Sequence, residues 1–95
     1  MARFFVPYLN DTPASIEIKG HKLLLITQEE RQIRKDVKKL GGTDVRELEL
    51  ANAAEQQETL ASLAKSIKGG VVLTPKGVSI QRILKNLESE LPWLH

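Results

Sequence analysis

Residues 43–70, TDVRELELANAAEQQETLASLAKSIKGG, decide the fold because they admit two readings. Asp44 to Lys68 consists almost wholly of good helix formers, so propensity alone allows one helix of about 25 residues. Against that, Leu48 and Leu50 alternate with Glu47 and Glu49, the period of a half-buried strand. Asn52 followed three residues later by Glu55 is a capping pair, in which each side chain accepts from a backbone N–H left free at a helix start. Strand 45–50 followed by a helix is therefore favoured. The helix carries the stripe Leu60, Leu63, Ala64 and Ile67 and stops at Gly69-Gly70.

Beyond that stop, Val71 to Leu73 reads as a short buried strand, extended to 71–74 by Thr74. Ile80, Ile83, Leu84, Leu87 and Leu91 form an amphipathic stripe, and Pro92 ends that helix. Upstream, Thr27 and Glu30 have capping-box spacing. Ile33, Val37 and Leu40 give helix 28–40 an apolar side, and Gly41-Gly42 stops it. Ile16 and Ile18, then Lys19-Gly20, then the run Leu23 to Ile26 signal a hairpin, with Gly supplying a positive φ. The stretch Arg3 to Leu9 is aromatic and β-branched, and Pro7, which cannot donate to a ladder, points to an edge strand.

The order β, β, β, α, β, α, β, α predicts a single α/β domain over residues 1–95, of two or three layers. It has three helices and a mixed sheet of about five strands. The N-terminal hairpin is expected to be antiparallel and segments 22–27, 45–50 and 71–74 parallel. Its expected core is Leu24, Ile26, Val37, Leu48, Leu50, Leu60, Leu63, Val72, Ile83, Leu84 and Leu87.

Ninety-five residues suffice for one core, and with 41% hydrophobic and 27% charged residues neither disorder nor a membrane span is indicated. The N-terminus has no extended apolar region with a cleavage site. The absence of cysteine excludes disulfides, thiolate nucleophiles and cysteine-based zinc sites, and makes a reducing cytoplasm the expected compartment. No cofactor is implied, because both Gly-x-x-x-x-Gly-Lys-Ser/Thr and Gly-x-Gly-x-x-Gly are missing. His21 sits just after a turn and His95 is the last residue, and no activated nucleophile is visible, so a non-catalytic role is favoured over an enzyme.

Three binding surfaces follow from this reading. Parallel strands would bring Thr27, Asn52, Thr74 and Lys76 to one sheet edge, at helix starts that favour an anion, although Thr-Pro-Lys-Gly is equally an ordinary turn with Ser79 as the helix cap. Helix 28–40 carries Arg31, Arg34, Lys35, Lys38 and Lys39 opposite its apolar side, a candidate nucleic-acid surface without neighbouring stacking aromatics. The net charge of +2 is small for such a role. Phe5 and Tyr8 on the expected edge strand, with Trp93 and Leu94 in the tail, are candidate interface residues. A protein-interaction module, more readily a homodimer than a monomer, is the favoured expectation. Nucleic-acid binding is second and anion or nucleotide binding third.

Overall fold

A computed structural model describes residues 2–74 and 77–90. The expectations for Lys76, Trp93, Leu94 and the stop at Pro92 fall outside these residues.

Residues 43–70 resolve as strand plus helix. β5 (Asp44–Leu50) pairs antiparallel along the whole of β1 (Ala2–Leu9), from Ala2 opposite Leu50 to Tyr8 opposite Asp44. α2 (Ala53–Ile67) follows, capped as its sequence requires. Asn52 Oδ1 accepts from Glu55 N at 2.8 Å, and Glu55 Oε2 accepts from Ala51 N at 3.0 Å.

β1 is interior, which corrects the expected edge. One flank pairs with β5, and the other pairs antiparallel with β4 (His21–Thr27) at Phe5 and Thr27. The reason is burial: Phe4, Phe5, Val6 and Pro7 are all buried, and a strand with four consecutive buried residues needs cover on both faces and both flanks. Pro7 is tolerated because backbone groups alternate sides along a strand. Its carbonyl faces away from β5 and accepts from Ala14 N at 2.9 Å, while Tyr8 O turns to the other side and accepts from Thr43 N at 2.9 Å. The missing N–H therefore falls where β1 leaves β4 for the short β2 (Thr12–Pro13), and no ladder bond to β5 is lost.

The turn into β2 has Asn10 at φ 50° and Asp11 at φ 65°, the two positive angles of a type I′ hairpin. The expected hairpin between β3 (Ile16–Ile18) and β4 is present with the same geometry, at Lys19 φ 50° and Gly20 φ 83°. β6 (Gly70–Thr74) pairs parallel with β4, from Leu23 opposite Gly70 to Thr27 opposite Thr74. The main sheet order is thus β5-β1-β4-β6. Segment 45–50 runs in the same direction as 22–27 and 71–74, but β1 separates it from them, so the expected three-strand parallel core reduces to the β4–β6 pair.

The described residues form a small α/β domain with three helices and a six-stranded mixed sheet. One face packs Phe5, Leu23, Leu25 and Val45 against Ile33 and Leu40 of the first helical segment and Ile80 of α3 (Ile80–Glu90). The other packs Phe4, Val6, Leu24, Ile26 and Leu50 under α2 through Ile67, with Leu60 and Leu63 at its margin. Three layers result.

Helix 28–40 is shorter than expected. α1 covers Glu30–Asp36 and tightens into a 3-10 turn at Val37–Leu40 before Gly41 at φ 84°. Its expected capping box is not formed, because the Thr27 hydroxyl accepts from Glu29 N at 3.0 Å, two residues on instead of three. Gly69 permits the tight passage from α2 into β6, since a Cβ there would lie 2.2 Å from Lys22 O.

Of the expected core, Leu24, Ile26 and Leu50 are buried, whereas Val37, Leu48, Leu60, Leu63, Val72, Ile83, Leu84 and Leu87 are half-buried. Two helices on one face and one on the other leave the sheet margins partly wet. Leu24→Ala should accordingly cost about 2–5 kcal/mol in urea unfolding, and Leu84→Ala clearly less, at unchanged denaturant slope.

Candidate functional site

The edge formed by the strand C-termini does gather the expected residues. β4, β5 and β6 point the same way, so Thr27, Asn52 and Thr74 lie on one edge, and Thr27 and Thr74 are register partners, each 1% exposed. Several of the backbone donors around them, however, are already occupied. Thr27 and Asn52 accept from their own helix starts. Glu29 Oε1 accepts from Gly77 N at 3.0 Å, Gln32 Oε1 from Ile80 N at 3.2 Å, and Ser79 Oγ from Arg82 N at 3.2 Å. Ser79 is thus the cap anticipated for α3. The carboxylate of Glu29 and the amide oxygen of Gln32, both from the α1 side, thus accept from two N–H groups at the start of α3, and the Glu29 charge disfavours an anion beside them. Thr74 Oγ1 alone is buried without a hydrogen-bond partner among the described residues.

All five cations of the basic face, Arg31, Arg34, Lys35, Lys38 and Lys39, are exposed. Arg34 Nε pairs with Glu30 Oε2 at 2.9 Å, and Lys39 Nζ lies 3.8 Å from Asp36 Oδ1, whose side chain is largely buried. Arg31, Lys35 and Lys38 form no ion pair among the described residues. On the neighbouring α3, Arg82 and Lys85 are also exposed. Among the described residues no aromatic ring joins this face, because Phe5 is 4% exposed within the core and Tyr8 lies under the Arg46 guanidinium, 4.3 Å from its ring centre, on the α2 side of the sheet.

Phe5 is buried in the core. Tyr8 is half-buried and lines a shallow cleft of about 490 Å³ with Pro13, Leu48, Thr59, Ser62 and Leu63. A second cleft, of about 410 Å³, lies at the opposite sheet edge between His21, Lys22 and Lys68, around Gly20, Gly69 and Gly70. No group of three His, Asp or Glu side chains suited to a metal occurs among the described residues.

The two outer strands differ sharply in chemistry. Among the described residues β5 pairs only with β1, and its exposed side chains Asp44, Arg46, Glu47 and Glu49 are all charged. Arg3 Nε donates to Glu47 Oε1 at 3.0 Å, and this bond, then the charge of Glu47, pushes the guanidinium pKa further up. Arg46 also pairs with Asp11. β6 pairs only with β4 among the described residues and contains no charged side chain. It was expected to be buried. Instead α2 carries the chain past β4 to the far flank, which leaves Val71 and Val72 half-buried and Leu73 43% exposed. Sequence reasoning missed this surface because strand order is a tertiary property with no local signature.

No known protein family, curated protein or solved structure matches the chain. No helix among the described residues is long and apolar enough to cross a membrane.

The cross-capping of α3 by α1 is separable from the core. Gln32→Ala should cost about 0.5–1.5 kcal/mol and accelerate amide exchange at Ile80, with little change at Leu24 or Ile26.

Proposed function

We propose that this protein is a small non-catalytic interaction module that acts by protein contact through the β6 edge. The observation that carries the reading is the contrast between the two outer strands. Charged side chains blunt β5 against strand addition, whereas Gly70–Thr74 presents an uncharged edge with Leu73 exposed. Strand addition draws affinity from main-chain hydrogen bonds and specificity from alternate side chains, and needs neither a pocket nor a cofactor. The lack of cysteine suits a reducing cytoplasm as its place of work.

Site-specific crosslinking tests the reading. A photoreactive residue replacing Leu73 should give a discrete protein adduct in extract of the source cells, and one replacing Glu49 should give none. Absence of an adduct at position 73, or equal adducts at both, rejects it.

A second reading rests on the basic face of α1. Arg31, Lys35 and Lys38, at i, i+4 and i+7, are exposed and without acidic partners among the described residues, the arrangement needed to follow phosphates. With three contacts, the logarithm of affinity for RNA or DNA should fall against log salt with a slope of about −2 to −3. Changing Lys35 and Lys38 together to Ala should flatten the slope by about one to two units while leaving the unfolding midpoint nearly unchanged. No binding at low salt rejects this reading.

A further inference from the structure

We propose that the β6 edge is occupied by β6 of a second copy of this chain, paired antiparallel about a two-fold axis at Val72, so that two sheets join into one. The inference rests on the β6-edge reading above and names its partner.

Self-pairing needs a segment that tolerates its own reverse. Centred on Val72, Gly70-Val71-Val72-Leu73-Thr74 sets Val71 opposite the partner's Leu73, Gly70 opposite the partner's Thr74, and Val72 opposite its own copy. No charge meets a charge. Val71 and Leu73 lie on the α2 side of the sheet, because their β4 partners Leu24 and Ile26 pack there. The pairing therefore places each exposed Leu73 beside an apolar side chain across the axis. Gly70, with no side chain, leaves room opposite Thr74.

The competing assemblies are poorer. β5 paired with itself about Glu47 would oppose two carboxylates, and like charges directly across a ladder are destabilising. β6 laid on β5 would set an uncharged strand against a charged one. Whichever face of β5 they met, Val71 and Leu73 would oppose charge, Arg46 on one face or Glu47 and Glu49 on the other, and the contact would be head-to-tail, which does not close by two-fold symmetry. A single pair of five-residue strands is a small contact, so exchange with the monomer is expected in the range of about 1–100 µM.

Sedimentation equilibrium of the purified full chain across that range should show the mass rising from 10.6 kDa toward twice that value. Leu73→Lys should hold it at the monomer with an unchanged circular dichroism spectrum. Because the chain has no cysteine, Val72→Cys reports the axis directly. Opposed Cα atoms in an antiparallel ladder are within disulfide reach, and mild oxidation should give a covalent dimer. Leu9→Cys, at a more exposed side chain in the β1–β2 hairpin, should not. A constant monomer mass, or a dimer that neither responds to Leu73→Lys nor crosslinks at Val72→Cys, overturns self-pairing. Should Leu73→Lys fail to fold, the Val72→Cys result decides. An adduct at position 73 with a mass other than twice the chain refutes the self-partner but retains the interaction reading, and no adduct at all refutes both.

Discussion

The structure depends on the burial of β1. Phe4 to Pro7 cannot be left at a margin, because each side chain on either face of that stretch needs apolar cover. Placing β1 between β5 and β4 supplies it: Phe5 joins Leu23, Leu25 and Ile33 on one side, and Phe4 and Val6 join Leu24 and Ile26 on the other. Once β1 is interior and antiparallel, the crossovers must pass over it. α1 spans from β4 to β5 on one face, and α2 returns on the other face from β5 to β6, beyond β4. The exposure of Leu73 is thus a distant result of the apolar character of residues 4–7.

Local signals were legible where the chemistry is local. The Asn52–Glu55 pair, the Lys19-Gly20 turn, the Gly41 stop and Ser79 all act within a few residues, and all appear in the structure as their sequences suggest. The Thr27–Glu30 pair had the same spacing as Asn52–Glu55 yet behaves differently. There the hydroxyl is captured by Glu29 N, and the Glu29 carboxylate turns to Gly77 of another element. Asn10-Asp11 is a turn of the same type as Lys19-Gly20 but has no glycine, so its positive φ values were not evident.

What stayed hidden was which strand neighbours which. Pro7 argued for an edge only because the direction of its missing donor was unknown; with that donor facing the β1–β4 divergence, proline is compatible with an interior strand. The anion expectation had the same limit. Parallel strand ends do converge at Thr27, Asn52 and Thr74, but whether helix N–H groups are open to a ligand depends on side chains such as Glu29 and Gln32, which approach from about fifty positions away in sequence. By contrast, the exposure of Arg31, Arg34, Lys35, Lys38 and Lys39 followed from helical periodicity, which fixes the solvent side without knowledge of the fold.

The two type I′ turns have a consequence for how the chain emerges from synthesis. β1 through β4 are joined by loops of only two residues at Asn10-Asp11 and Lys19-Gly20, so these pairings close at low entropic cost before the rest of the chain exists. The long-range ladders come afterwards, β5 sealing one flank of β1 and β6 the outer flank of β4. A nascent chain that has reached α1 therefore displays its two most apolar strands with their outer flanks still unpaired. That interval is when the sequence is most exposed to aggregation, and Arg3 and Lys22, the charges near the starts of the two strands, are its built-in restraints.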